Sequence, residues 1–338
     1  MPLSWIYAKI VNARNRLYDK GVFDVFGLGA RAISIGNITA GGTGKTPLVA
    51  YVAEILAARG ESVCILTRGY GRANPKQRVL VSDREQILAD PRYAGDEPYE
   101  LAKKLIGKAV VIADANRVSA AELAKRKFGV TAFVLDDGFQ HRKAKRDVDI
   151  VCIDATKPFG GGKMLPSGRL REPLKHLARA DIIVITRANL VPDISNLRAE
   201  ISELTPAAKI FIAENNIDRL VELEEFHAEP QSTQINQRKT VTGKAFAFCG
   251  LGNPENFFQM LRRDNIGLVG TRAFTDHYRY SEIDIAGIEK EALSAGAEAL
   301  LTTAKDAVKL NGMAFTLPCY VVEIEMKLDD ADGFAAML

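Results

Sequence analysis

Apolar positions along this chain fall into short continuous runs separated by segments with helical spacing. The runs at 31–38 (RAISIGNI), 62–68, 108–114, 131–138, 149–155 and 181–187 read as strands. Segments 47–59, 97–105 and 119–128 read as the helices between them, the first stopped by Gly60. Strands that are continuous Val/Ile/Leu runs, alternating with helices, predict a parallel sheet covered on both faces. After residue 205 the pattern changes. KIFIAENNID and RLVELEEF lead into a polar, Gln-rich stretch, EPQSTQINQRKT, and the whole of 206–243 reads as a strand-rich linker. A second, smaller α/β unit is expected over 244–318, with a helix near 282–295. The run CYVVEIEMKL (319–328) reads as a closing strand that returns to the linker, with a tail behind it.

The first twenty residues carry a different pattern. Leu3, Ile6, Ile10, Ala13 and Leu17 recur at helical spacing, while Lys9, Asn12, Arg16 and Lys20 lie on another face, with Trp5, Tyr7 and Tyr18 between. This is the design of a helix lying on an anionic membrane surface. It is equally the design of a first helix packing on its own domain. No run reaches the roughly 18 apolar residues a spanning helix needs, and no secretory signal pattern is present.

Composition adds little to this. The length of 338 residues suggests two domains. A net charge of +3 gives no case for nucleic acid, and none is expected as a partner. Cys64, Cys152, Cys249 and Cys319 each sit in an apolar strand-like run, away from metal-binding spacing, and are expected as buried thiols.

The chemistry enters at ISIGNITAGGTGKTP, where a strand breaks into a Gly-rich loop and then a helix. Gly41, Gly42 and Gly44 let backbone N–H groups turn in around phosphate, Lys45 reaches the outer phosphates, and Thr46 places its hydroxyl on Mg²⁺. Thr39 stands where the GxxxxGK[ST] pattern wants glycine. The loop residues Thr39, Ala40, Gly41, Gly42, Thr43, Gly44, Lys45 and Thr46 are the expected ATP contacts. Asp136 and Asp137, at the tip of an apolar strand, take the position that holds Mg²⁺; alone, Asp-Asp-Gly is also an ordinary turn. Asp96 and Glu97 in YAGDEP can be an acid pair or a helix cap. Arg68, Arg72, Arg117, Arg169 and Arg171 gather in loops, as phosphate-binding or as solvated charges. His141 and His277 are two of four histidines; His277 acquires a role only if two domains close over one site.

The set NITAGGTGKTP, LTRGYGR, GDEP, DDGFQHR, MLPSGRLREP, FTDHY and TTAKDAVK resembles the tetraacyldisaccharide 4′-kinase family over nearly the whole chain. One departure is Ala304, where the family pattern has Glu. The resemblance implies a P-loop domain over 21–205, a two-stranded β linker, a smaller α/β domain, and peripheral attachment to the cytoplasmic face of the bacterial inner membrane through residues 1–20. It implies ATP with Mg²⁺, and as acceptor the 4′-hydroxyl of a tetraacylated glucosamine disaccharide 1-phosphate. It points to an Asp96–His277 pair as the base and its partner, and adds Glu172 to Thr46, Asp136 and Asp137 as candidate metal groups. Arg68, Arg72, Arg117, His141, Arg169 and Arg171 are the candidate substrate contacts. Two rival readings stand beside it: a P-loop switch controlling a protein partner, and a kinase of a soluble small molecule.

Overall fold

The computed structural model describes residues 2–228 and 243–338. The strands are β1 Arg31–Gly36, β2 Val63–Thr67, β3 Val79–Ser82, β4 Ala109–Ala113, β5 Ala132–Asp136, β6 Val148–Asp154, β7 Ile182–Thr186, β8 Lys209–Glu222, β9 Ala245–Cys249, β10 Leu268–Ala273, β11 Ala299–Thr303 and β12 Cys319–Leu328. The helices are α1 Pro2–Asp19, α2 Lys45–Ala58, α3 Pro91–Ala94, α4 Asp96–Lys104, α5 Arg117–Phe128, α6 Ser195–Leu204, α7 Leu223–His227, α8 Pro254–Arg263, α9 Glu282–Ser294, α10 Ala304–Ala307 and α11 Ala331–Met337. Among the described residues one 12-stranded sheet runs in the order β10-β9-β11-β12-β8-β7-β6-β1-β5-β2-β4-β3.

Two strands decide how the halves meet. The start of β8 pairs parallel with β7, through Lys209–Ile182 to Ile212–Ile185. The remainder of β8 leaves that partner and pairs antiparallel with β12, from Leu328–Ala213 to Tyr320–Glu222. The start of β12 pairs parallel with β11. The two parallel halves therefore run in opposite directions and point the carboxyl ends of their strands at each other. Ligands of open α/β sheets bind at those ends, so both halves present their loops to one cleft.

Strand interiors are apolar on both faces, and helices cover them: α2, α4 and α11 on one side of the first half, α5 on the other. The predicted linker is a single long strand followed by α7. Its apolar alternation fails at Asn215 and Asp218 because these residues line the cleft rather than a core. The Gln-rich stretch lies outside the described residues. Two short elements, β3 and α3, do not stand out in the polar segment that holds them.

The segment expected as a tail is also different. Residues 331–337 form α11, and Phe334 is fully buried against Phe211 and Tyr51, at ring distances of 5.2 and 6.1 Å. Arg59 donates to the Ala335 carbonyl at 2.6 Å, tying α11 to the end of α2. Truncating Phe334 to Ala is expected to cost about 3–5 kcal/mol, because a large buried ring leaves a cavity the neighbours cannot fill. Denaturant unfolding checks this, and a loss below about 1 kcal/mol would mean that α11 is not part of the core.

Candidate active site

The P-loop follows β1 and ends at Gly44, whose φ of 77° is in the left-handed region and whose place is the N-cap of α2. Asn37 Nδ2 donates to Thr43 Oγ1 at 2.8 Å and braces the loop from inside. Thr39 is turned out of the phosphate cradle. It forms an antiparallel bridge with Leu170, and its neighbour Ala40 N donates to the Arg169 carbonyl at 2.7 Å. A side chain is tolerated there because that residue is buried outside the cavity wall, with no left-handed φ to demand glycine. Ala40 to Thr46 do line the cavity.

The acid pair splits into two roles. Asp137 accepts from Arg171 at 2.7 and 2.8 Å and lies 3.5 Å from Lys45 Nζ. Burial pushes its carboxyl up, yet Lys45 and Arg171 hold it at about 2. Asp136 accepts from Thr67 at 2.9 Å but has no such cations bound to it; burial and the neighbouring Asp137 charge push it up to about 6. A carboxylate short of positive charge, beside Thr46 and the phosphate cradle, fits a Mg²⁺ ion that arrives with nucleotide. Among the described residues no cluster of three or more His, Cys, Asp or Glu forms a self-contained metal cage.

Glu172 does not belong to that metal set. It is buried, and its Oε2 is taken by Asn15, His176 and Arg179 at 2.7, 2.8 and 2.9 Å. Its Oε1 accepts from Gln140 and Arg179, both at 3.1 Å. Burial raises its carboxyl, but His176 and Arg179 hold it at about 2. No lone pair is left for a metal. The residue instead ties α1 to the Asp136–Asp137 loop, since Gln140 also donates to the Asn37 carbonyl at 2.8 Å and Arg14 donates to the Gln140 carbonyl at 2.9 Å.

Across the cleft, His277 Nδ1 lies 3.1 Å from Asp96 Oδ2. Two glycines make this possible. A Cβ on Gly69 (φ 65°) would meet the Ala94 carbonyl at 2.8 Å, and one on Gly95 (φ 94°) would meet the Tyr70 carbonyl at 2.9 Å. The RGYGR and GDEP segments thus pack backbone on backbone and set Asp96 at the first position of α4, with no side-chain cap. His277 lines the cavity, and Asp96 holds the ring nitrogen that faces away from Lys305. Lys305 Nζ bridges Asp276 and Glu97 at 2.9 and 3.0 Å and lies 3.4 Å from His277 Nε2. Burial opposes the Asp96 charge, but the His277 hydrogen bond and Lys309 hold its carboxyl below the usual range. The same hydrogen bond raises His277 against burial. Asp306, fully buried, accepts from Gly250 N at 2.9 Å and Thr303 Oγ1 at 2.7 Å and so fixes the loops after β9 and β11. Ala304 lines the cavity with a methyl group.

The cations separate likewise. Arg68, Arg117 and Arg171 line the cavity. Arg117 is buried, which lowers it to about 10 and leaves it charged at neutral pH. Arg72 is structural: it is buried and donates to the Ala113 and Pro75 carbonyls, each at 2.7 Å. Arg169 lies beside the outer side of the P-loop at Gly41, outside the cavity wall. His141 lines the cavity but is no phosphate cation; burial and then Arg117 lower it to about 4, so it is neutral, with a buried Nε2 that has no protein partner. Lys305, Gln140 and Arg187 were not singled out by sequence reasoning. Arg187 follows β7, donates to the Gly42 carbonyl at 2.9 Å and pairs with Asp154. Its only sequence signal was a lone Arg after a strand.

Ala40 to Thr46, Asp136, Asp137, Arg117, Arg171 and His277 line one cavity of about 1960 Å³, and Asp96 stands behind His277. A P-loop on one wall and a hydrogen-bonded carboxylate–imidazole pair across the cleft are the parts a P-loop phosphotransferase acting on a hydroxyl would use. Comparison with known proteins narrows this. The chain belongs to the tetraacyldisaccharide-1-P 4′-kinase family, whose model matches residues 1–338. Tetraacyldisaccharide 4′-kinase of Halothermothrix orenii is 38% identical, with 99% of this chain and 90% of that protein covered. The Desulfotalea psychrophila enzyme of the same name is 37% identical over 94% of this chain and 89% of its own length. A crystal structure of the "apo" form of LpxK from Aquifex aeolicus in complex with ATP matches with a TM-score of 0.78 at 33% identity, covering 99% of this chain and 96% of that one.

Proposed function

We infer that the chain phosphorylates the 4′-hydroxyl of a tetraacylated glucosamine disaccharide 1-phosphate at the expense of ATP, yielding the lipid IVA precursor of lipid A, and that it does so at the cytoplasmic surface of the inner membrane. The observation that carries the lipid part is the extent of the cavity. It runs from Tyr7, Val11 and Arg14 of α1 to the P-loop and on to His277. A lipid held along α1 can therefore reach the phosphate cradle without leaving the protein. Family membership sets aside the nucleotide switch and the soluble-substrate kinase.

In this reading Lys45 and the loop N–H groups of Gly41 to Thr46 hold the triphosphate, with the α2 N-terminus behind them. Thr46 and Asp136 would hold Mg²⁺, with Asp137 acting beside them; the ion would neutralise charge on the outer phosphates. Arg171 and Arg117 bring positive charge to the same wall, and His141 Nε2 offers one neutral hydrogen-bonding atom. The acceptor hydroxyl loses its proton to the Asp96–His277 pair. Lys305, locked between Glu97 and Asp276, keeps the pair oriented. Catalysis here is positioning and charge stabilisation.

The outer face of α1 supports membrane attachment. Trp5 and Ile10 are 60% and 62% exposed, and Leu3 and Ile6 lie with them. Among the described residues no helix is long and apolar enough to cross a membrane. The deciding assay is ATP-dependent phosphate transfer to the disaccharide 1-phosphate lipid in mixed micelles, with the 4′-phosphorylated product identified by mass. Absence of that product from folded, ATP-binding protein would overturn the reading.

The pair also has a pH signature. Asp96 is lowered by folding, so its contribution to stability is present above its unfolded value of about 3.9 and is lost as pH falls through the folded value. His277 is raised, so its contribution is complete below about 6.5 and is lost as pH rises through its folded value. Substituting Asp96 with Asn removes the cause of the His277 shift. The imidazole of the D96N protein should then titrate at lower pH than in the native chain, as followed by NMR of the ring protons. An unchanged titration would mean the two side chains do not interact in solution.

A further inference from the structure

The apolar stripe of α1 is exposed from Leu3 to Ala13 and runs on to half-buried Leu17, but exposed apolar surface does not end there. The Leu17 carbonyl accepts from Val22 N at 2.9 Å, so the chain that leaves the helix folds back onto the stripe's end. That chain reads Gly-Val-Phe-Asp-Val-Phe-Gly, and its four large apolar side chains are all exposed, Val22 by 61% and Phe26 by 41%. Exposed phenylalanines in a loop are unusual for surface meant for water. Their surroundings are basic. Phe26 N donates to the Lys143 carbonyl and Lys145 N donates to the Phe26 carbonyl, each at 2.8 Å, so the loop is stitched to the segment His-Arg-Lys-Ala-Lys-Arg. Lys143 Nζ stands 5.2 Å from the Phe26 ring, and the side chains of Lys20, Lys143 and Lys145 are exposed. Asp24 is the one acid within the loop itself. Arg142 is bound at 2.7 Å to Asp19 and stacks over Tyr18, which in turn meets Phe23 edge-on at 5.1 Å.

We propose that Val22–Phe26, ringed by Lys20, Lys143 and Lys145, is a second membrane contact that inserts among the headgroups of anionic phospholipids. Apolar side chains with a basic rim are the chemistry that holds interfacial segments on such surfaces. The proposal rests on the membrane reading of α1 and extends it. With contacts at both ends, the helix lies along the membrane plane, and its inner face, which lines the cavity, is held at a fixed angle to the lipid. One contact at the N-terminal end would leave the protein free to swing.

The single tryptophan makes the test direct. Native protein is mixed with phosphatidylglycerol–phosphatidylcholine vesicles carrying brominated acyl chains, and quenching of Trp5 reports α1. A Trp5→Phe, Phe23→Trp protein reports the loop, and a Trp5→Phe, Ile283→Trp protein reports an exposed site on α9 as control. The expected result is quenching at positions 5 and 23 and none at 283. In addition, Lys143→Glu with Lys145→Glu should lower partitioning onto anionic vesicles by about tenfold or more, with little change on neutral ones. Quenching at 5 without quenching at 23 would overturn the proposal and leave α1 as sole anchor. No quenching at either would overturn the α1 reading as well. A concentration-dependent dimer abolished by Phe23→Ser, with no quenching at 23, would assign the patch to a second copy of the chain and likewise overturn it.

Discussion

Replacing Lys45 with alanine is expected to cut turnover by about 10³-fold or more while leaving the fold intact, because its charge acts where charge develops on the transferred phosphoryl group. The Lys45 side chain is only 14% exposed and stands between the cradle and Asp137. Loss of a half-buried cation often destabilises by stranding its partner. Here Asp137 keeps two hydrogen bonds from Arg171, at 2.7 and 2.8 Å, so it is not stranded. Its carboxyl should titrate at higher pH than in the native chain, since the Lys45 charge lowers it more than Arg171 does. The measurement is kcat at saturating ATP and Mg²⁺, beside thermal unfolding and nucleotide binding. A folded K45A protein with near-native turnover would remove the P-loop from the mechanism.

The second large effect belongs to the pair across the cleft. Asp96→Ala and His277→Ala should each lower the rate of the chemical step by about 10²–10⁴-fold, with ATP affinity little changed. The double variant should lose no more than about tenfold beyond the worse single one, because groups that act as a unit are not additive. The competing role for Asp96, capping a helix, finds no support in the geometry. Asp96 is inside α4, and Gly95 occupies the N-cap with no side-chain hydrogen bond. Any helix contribution is then only the favourable placement of an acid in a first turn, about 0.3–1 kcal/mol. Fully multiplicative losses, or two near-native single variants, would dissolve the pair.

Much of this architecture is legible before folding is considered, and the reasons differ by element. Strands such as Ile182–Thr186 announce themselves because both faces are buried and the run from Ile182 to Ile185 is unbroken Ile and Val. The P-loop is legible because its backbone demands glycine at Gly41 and Gly44, with φ of 115° and 77°. The joining of the halves is not legible. It depends on β8 changing partners midway, and no residue marks that change. Arg72 and Arg169 lie outside the cavity wall and Glu172 is taken up by Asn15, His176 and Arg179, and one physical reason hides this in the sequence. A charged side chain beside a glycine motif has the same appearance whether it lines the cavity, like Arg171, or fastens the loop from behind, like Arg72. Direction is set by the whole fold. Asp96 and His277 lie 181 residues apart, and nothing in the sequence but the family resemblance joins them.

The placement of α11 bears on how the molecule can be made. The core that covers α2 is finished by Phe334, and the edge of β7 is covered by β8, which is itself paired with β12. The first half is therefore assembled from two stretches of chain with the whole second half threaded between them. Its nucleotide-binding lobe cannot close as an independent early unit during synthesis, because β12 and α11 emerge only after the second half. Pairing β8 with β12 joins residues more than 95 positions apart, a contact that is slow to form. Until it forms, the free edge of β8 stands open as a site for wrong pairing, so the price of joining the two lobes by a shared sheet is a long interval in which the unfinished chain needs protection.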